Sequence, residues 1–365
     1  MIPNTMKAMV LTGHGDVDKL EYQDVPVPAP GAGQVLVQVT ATAKNNTDRK
    51  AREGLYPTKK GEMTSFQMGG KPTLVFPRIQ GADIAGRVVA VGDGVDESRI
   101  GERGLLDFNI YANDRRDLNL TPDYFGHGAD GGFAEYVALP SDQFHQIPNP
   151  ELADAEVASM GMCSYQTAMH MLTSASIKAG ERVLVTGASG GVGLAAVELG
   201  KAVGAKVIAA ASSAEKLAVA REAGADELVN YTEESLKDAV KKLTKGKGVD
   251  VIYDPVGGDF TEQALRTMGW NGRHLVIGFA AGDIPKIPAN LTLLKGCSVV
   301  GVFWGSFTQR EPQTSAQNMM ELLQMYADGK IDPKVSEVFP FEEYAAALGA
   351  LTGRRATGKI VLRVG

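Results

Sequence analysis

The sequence predicts a two-domain α/β chain: an antiparallel barrel-type domain followed by a doubly wound parallel sheet. Three observations carry this. The chain has 365 residues, room for two domains at roughly 100–200 residues each. Residues 1–150 are rich in short alternating strands and turn signals. Residues 151–305 switch to short apolar strands alternating with helical stretches, the pattern of βαβ units and a parallel sheet.

In the first part, Val35, Val37, Val39 and Ala41 point one way while Gln34, Gln38, Thr40 and Thr42 occupy the other face. Pro26, Pro28, Pro30 and Gly31 precede that strand as breakers. Further strands are expected over 85–91 and 133–139, and a long Asn-, Asp- and Gly-rich loop over 107–131. In the second part, strands over 182–186, 206–211, 249–253, 274–277 and 298–304, and one ending at 229–230, alternate with helices over 191–203, 214–223 and 233–244. Right-handed crossovers then place a ligand crevice at the strands' carboxyl ends. The tail, 313–365, reads as one helix and then a strand over 359–364.

Composition narrows the function classes. Apolar residues at 44% and charged residues at 22% are ordinary globular values. The 43 glycines are more than usual and point to tight turns or close backbone approaches. The two cysteines, Cys163 and Cys297, cannot build a disulfide framework or a four-cysteine zinc lobe, and their scarcity fits a reducing compartment. A net charge of −6 argues against nucleic acid as the main partner. No stretch approaches the ~18 consecutive apolar residues of a membrane span, and Met1 to Leu11 lacks a signal-peptide pattern. The expectation is a soluble, cytoplasmic protein acting on a small molecule, with no nucleic-acid or membrane partner.

The sharpest motif is Thr186-Gly187-Ala188-Ser189-Gly190-Gly191-Val192-Gly193, which follows a strand, opens a helix and begins a βαβ unit. Gly190 and Gly191 let the backbone approach a pyrophosphate, and the helix N-terminus offers N–H groups and a positive dipole end. Gly193 lets the helix pack closely on the sheet. Ala188 takes the first Gly position of G-x-G-x-x-G. These residues, with Val192, are therefore expected to bind a dinucleotide. The same stretch also spells G-x-S-x-G, which would make Ser189 the nucleophile of a hydrolase. That reading needs a later acid and then a histidine. The sole later histidine, His274, sits inside the apolar strand pattern His274-Leu275-Val276-Ile277.

An acidic residue about 20 residues on usually marks NAD. Here the second strand ends Ala209-Ala210-Ala211-Ser212-Ser213, with Glu215 beyond the tip and Lys216 nearby. A cation suits a 2′-phosphate, so Ser212 and Lys216 point to NADPH.

The chain resembles a medium-chain dehydrogenase/reductase of the zinc-free quinone oxidoreductase and enoyl reductase branch. The resemblance spans nearly the whole chain. It is carried by Asn45-Asn46-Thr47-Asp48, Gly54-Leu55-Tyr56-Pro57, Gly81-Ala82-Asp83-Ile84-Ala85-Gly86, Gly131-Gly132-Phe133-Ala134-Glu135-Tyr136, the glycine turn, Asp254-Pro255-Val256-Gly257-Gly258 and Gly358-Lys359-Ile360-Val361-Leu362. It implies a GroES-like catalytic barrel over 1–150, completed by 306–365, and a Rossmann NADP-binding domain over 151–305.

In the family's zinc branch a Cys, a His and a second Cys hold the metal. Asn45 matches the first Cys, Ala82 the His, Asp83 the Glu after it, and Cys163 alone keeps a ligand type. One thiolate cannot build a three-ligand catalytic site. The four-cysteine lobe would fall near 107–131, which has no cysteine and one histidine, His127. No zinc is expected. Without a Lewis acid the substrate must already be electron-poor, as quinones and α,β-unsaturated carbonyls are, and its reduced oxygen needs donors and a proton.

The resemblance implies Tyr56 as proton donor and places Asn45 near the nicotinamide. Thr167 matches a residue at the nicotinamide ribose. Tyr231 and Arg355, with Lys216, match positions around the 2′-phosphate. Gly278, Phe279 and Phe303 match segments flanking the nicotinamide. The loop 57–80, with Phe66 and Met68, is particular to this chain. The sixth parallel strand would be an edge that pairs across a two-fold axis, giving a homodimer. A non-catalytic NADPH-binding protein, or a zinc-free alcohol oxidation, would keep the glycine turn equally intact.

Overall fold

In the computed structural model, residues 1–55, 74–111, 123–352 and 357–365 are described. The N-terminal part builds β1 (Thr5–Leu11), β2 (Leu20–Pro26) and β3 (Gln34–Ala43), then α1 (Asn46–Arg52), β4 (Arg78–Ile79) and β5 (Asp83–Val91). It continues through β6 (Arg103–Leu106), β7 (Asn109–Ile110), β8 (Asp123–Tyr124), β9 (Tyr136–Pro140), β10 (Phe144–Gln146) and α2 (Asp154–Ser159). β3 is central: β5 and β9 both pair with it antiparallel. The expected alternation holds at Gln34, Gln38 and Thr40, which are half-buried or exposed between buried Val35, Val37, Val39 and Ala41, while Leu36 and Thr42 are buried on the other face as well. Two register shifts against β5 curl the sheet locally. The strand expected from 133 begins only at Tyr136, because Ala134 makes an isolated bridge to Ala8 instead.

The second part runs α3 (Thr167–Ala175), β11 (Arg182–Thr186), α4 (Gly191–Ala202), β12 (Lys206–Ala211), α5 (Ala214–Glu222) and β13 (Glu227–Asn230). Then follow α6 (Leu236–Leu243), β14 (Val249–Asp254), α7 (Asp259–Leu265), β15 (Met268–Val276), α8 (Ala289–Lys295) and β16 (Ser298–Gly301). The six strands are parallel in the order β13-β12-β11-β14-β15-β16. The order reverses beside β11, where doubly wound sheets bind ligands. Val183, Leu184, Val185, Val207 and Ala209 are wholly buried, as strands covered on both faces require. α6 starts at Leu236 rather than 233: Ser235 caps it through the Asp238 N–H, and Leu236, Ala239 and Val240 form its buried stripe. β16 stops at Gly301 rather than 304, since Trp304 opens a helix and is itself buried.

The chain returns through α9 (Trp304–Arg310), α10 (Pro312–Ala327), β17 (Val335–Pro340), α11 (Tyr344–Thr352) and β18 (Lys359–Arg363). This tail holds a strand and a helix more than its expected helix and strand. α11 is almost uniformly apolar, YAAALGALT, so no helical stripe betrays it. β17 runs parallel to β18, and β18 antiparallel to β3, extending the barrel sheet to the order β10-β6-β5-β3-β18-β17.

Two units result. One comprises Met1–Cys163, Gly305–Ala327 and Val335–Gly365; the other comprises Ser164–Trp304 and Asp328–Lys334. The boundary lies beyond 150 because Val157 and Ala158 of α2 are buried and that helix packs on β3, β5 and β18. Residues 328–334 join the second unit, where the Asp332 N–H and the Tyr165 hydroxyl both donate to Glu198 Oε2, at 3.1 and 2.7 Å. Among the described residues no helix is long and apolar enough to cross a membrane.

Candidate functional site

The end of β11 turns sharply at Gly187, whose φ of +59° is a left-handed conformation that glycine adopts freely. The Ala188 N–H donates to Ala210 O at 3.1 Å and ties the turn to β12. α4 begins after Gly190 with no side chain capping its first turn, so its leading amides face outward as an anion would need. A Cβ on Gly193 would stand 2.3 Å from Gly187 O, so only glycine allows the helix this close to the turn. Ala188, Ser189, Gly190, Gly191, Val192 and Gly193 are thus brought together as one backbone cradle.

Asp254, at the end of β14, holds that cradle to its neighbour. Its Oδ1 accepts from Thr186 Oγ1 at 2.9 Å and from the Val256 and Gly257 N–H groups at 3.1 Å; its Oδ2 accepts from Thr261 Oγ1 at 2.7 Å. Burial alone would raise this carboxyl, but His274, Thr261 and the Gly257 N–H outweigh it and hold the group below the usual carboxylate range. His274 is wholly buried with Nε2 3.3 Å from Asp254 Oδ2. Neither ring nitrogen makes a hydrogen bond to Ser189, so the relay a serine nucleophile requires is not assembled.

At the tip of β12, Lys216 Nζ donates to Ser212 Oγ at 3.1 Å, and the Ser213 hydroxyl caps α5. The Tyr231 N–H donates to Ala211 O, and its ring packs on Phe260 at 4.7 Å. Thr232 Oγ1 donates to Ser212 O at 3.3 Å. Ser212, Lys216 and Thr232 therefore form one polar corner, Thr232 being a member the sequence reading missed, and Tyr231 flanks it. Glu215 is exposed on α5. Gly278 and Phe279 follow β15, where a Cβ on Gly257 would meet Phe279 at 2.9 Å. Thr167 opens α3 half-buried, and Phe303 is 39% exposed after β16. Tyr56, Phe66, Met68 and Arg355 lie outside the described residues, as does the Cys163 side chain.

The barrel unit contributes a buried polar cluster. Asn45 precedes α1, and its N–H donates to Asp48 Oδ2 at 2.9 Å. Its side-chain Oδ1 accepts from Lys359 Nζ at 2.5 Å, and its Nδ2 donates to Asp83 Oδ2 at 2.9 Å. Lys359 Nζ also reaches Asp83 Oδ2 at 2.9 Å. Gly81, at φ +100°, turns the chain into β5 and sets Asp83 in place; a Cβ there would run into Phe133 at 2.6 Å. Burial pushes the Asp48 carboxyl up to about 7 and the Lys44 ammonium down to about 6. Lys44 Nζ sits 3.9 Å from the centre of the Tyr344 ring.

Comparison with known proteins assigns the family. Residues 31–149 match the alcohol dehydrogenase GroES-like domain, and residues 191–324 match the zinc-binding dehydrogenase domain. The chain is 38% identical over 295 residues to the quinone oxidoreductase-like protein 2 homolog of Nematostella vectensis, covering 80% of this chain and 74% of that one. The chain belongs to the medium-chain dehydrogenase/reductase superfamily, in its quinone oxidoreductase branch. It is also 31% identical to an NAD-dependent alcohol dehydrogenase of Sulfolobus acidocaldarius, over 98% of this chain and 100% of that one. A solved structure from Sinorhizobium meliloti 1021 superposes with a TM-score of 0.89 at 40% identity, covering 99% of this chain and 97% of that one. As a member of this superfamily the chain is an oxidoreductase using a nicotinamide cofactor.

Zinc-containing dehydrogenases supply a test of the donor set. Ala82 offers a methyl group, and Asn45 Oδ1 and Asp83 Oδ2 are both taken up by the Lys359 ammonium. Among the described side chains, a cation already bonded to both oxygens leaves a set that does not suit a zinc ion. Lysine within the apolar run Lys359-Ile360-Val361-Leu362 was the signal that a buried carboxylate awaited it.

Proposed function

We propose that this chain is a metal-independent, NADPH-dependent reductase that transfers hydride to a quinone or to an α,β-unsaturated carbonyl, an enone or enoyl thioester. The observation that carries the reading is the Lys359–Asp83 pair closed on Asn45, a fixed cation and amide where zinc relatives hold their metal. A bound nicotinamide supplies the hydride. What the protein must then supply is donors for the oxygen that gains the electron pair, and a proton. The Asn45 carboxamide is the donor side of this reading. Tyr56, by the resemblance, is the proton source.

The corner of Ser212, Lys216 and Thr232, flanked by Tyr231, supports NADPH over NADH. It offers a cation and hydroxyls, and none of these four residues carries a carboxylate of the kind that binds a ribose 2′-OH. Two cysteines in the whole chain fit a cytoplasmic site of action. A homodimer is supported by β16, an edge strand beside exposed Trp270, Leu293 and Leu294, an apolar patch that a second copy would cover.

The test is NADPH consumption against a panel of quinones, enones and acyl-CoA esters, with metal analysis of the dialysed protein. Turnover of at least one class at less than 0.1 equivalent of zinc is expected (roughly the background of a site that does not bind it). Tight NADPH binding with silence across the panel would make it a non-catalytic binder, and one equivalent of retained zinc would end the metal-free reading. Light scattering at the monomer mass would remove the dimer.

A further inference from the structure

A side-chain carboxamide has a donor end and an acceptor end of nearly equal size, and which end faces a substrate decides whether it attracts or repels a developing oxyanion. At Asn45 that choice is forced. An ammonium, which can only donate, lies 2.5 Å from Oδ1, and the carboxylate that pairs with that ammonium, and so accepts, lies 2.9 Å from Nδ2. The ammonium and carboxylate also bond each other at 2.9 Å, closing a ring of three contacts. Asn45, Asp83 and Lys359 are 4%, 1% and 6% exposed, so water does not substitute for any of them. Rotating the amide by half a turn would set NH₂ against NH₃⁺ and oxygen against carboxylate, two buried repulsive contacts at once. One Nδ2 hydrogen is committed to Asp83. Among the described residues the other has Ala43 O as its acceptor, at the long distance of 3.5 Å.

We infer that Lys359 is a positioning residue: paired with Asp83, it locks the Asn45 carboxamide so that its second N–H is presented to the oxygen of the substrate being reduced. The inference rests on the reductase reading. Hydride adds to the conjugated carbon, the displaced electron pair moves onto the carbonyl oxygen, and that oxygen then accepts the N–H hydrogen bond until it is protonated. With its own oxygen bonded to a cation, the amide is also the more polarised donor.

Lys359→Met alone would strand Asp83 as a buried charge, so the informative protein is Lys359→Met combined with Asp83→Asn, with Lys359→Gln in the same Asp83→Asn background retaining a neutral donor. The double variant is expected to fold, to keep NADPH affinity within about twofold, and to lose kcat tenfold or more with little change in substrate KM, Lys359→Gln recovering part of the loss (order-of-magnitude expectations for one oriented donor). Wild-type kcat in a folded double variant would overturn the lock. A readout free of turnover separates this from the function itself: in protein labelled with ¹⁵N-asparagine, the Asn45 side-chain NH₂, assigned by its loss in Asn45→Ala, should be exchange-protected in the wild type and lose protection in the double variant. An Asn45 amide exchanging like an exposed asparagine would refute the lock. A protected amide in a chain with no reductase turnover would refute only the reaction.

Discussion

The glycine turn takes its cradle from the consecutive residues 186–193 at one strand end, whereas the barrel cluster gathers Asn45, Asp48, Asp83 and Lys359 from separated segments. The turn works through backbone: what matters at Gly187 and Gly193 is the absence of a Cβ. The cluster works through side-chain charge: what matters is which groups are ionised, and which atom of an amide meets which neighbour. One region should therefore respond to added atoms and ignore pH, and the other should do the reverse.

The largest effect is expected where the turn is filled. In Gly193→Ala the new methyl would lie 2.3 Å from Gly187 O and 2.9 Å from Ala188 Cα, both backbone atoms with no rotamer to escape into. The turn must open and its amides lose their aim. NADPH affinity should fall about 100-fold or more, ~3 kcal/mol, at every pH between 6 and 8. Near-native affinity in a fluorescence titration would mean that the close approach of helix and turn is not what shapes the phosphate cradle.

The same contrast governs what could be read beforehand. The turn was legible because its signal is local: a strand, then glycines at set spacing, then a helix, all within residues 182–202. The Asp254 hub and the Lys359–Asp83–Asn45 ring were not, although their residues stood in recognised motifs, because the pairing is made by strand order. Lys359 meets Asn45 because β18 lies antiparallel to β3, with Val361 opposite Ala43. In the tail, β17 and α11 were missed for a related reason. A strand at the margin of a sheet and a helix with no polar face carry little periodicity of their own.

The cluster should answer to pH instead. Burial keeps the Asp48 carboxyl protonated up to about 7, against ~3.9 in an unfolded chain. Between those values the folded protein binds the extra proton, so this group's contribution is complete below about pH 4 and is lost as pH rises through 7, at ~1.4 kcal/mol per pH unit. Asp48→Asn keeps an oxygen for the Asn45 N–H and does not titrate. Lys44, lowered by burial to about 6, acts with the opposite sign above that value in both proteins and so largely cancels from their difference. Stability of the variant relative to wild type should therefore climb by about 2–4 kcal/mol between pH 4.5 and 7 and then level off. Urea titrations across that range showing a constant difference would mean that Asp48 ionises at its ordinary value, and the cluster is less dry than its contacts imply.

The smallest effect tests whether charge plays any part on the glycine-turn side. Lys216 is half-buried and already donates to Ser212 Oγ, so a 2′-phosphate would share it with solvent and with Ser212, Tyr231 and Thr232. Partial exposure screens such a contact. Lys216→Ala should weaken NADPH about tenfold, ~1.4 kcal/mol, leave NADH within about twofold, and flatten the salt dependence of NADPH binding. Equal losses for both cofactors would make Lys216 a packing residue of α5. In that case the charge of Lys216 takes no part in holding the dinucleotide, and the contrast with the charge-driven barrel cluster sharpens.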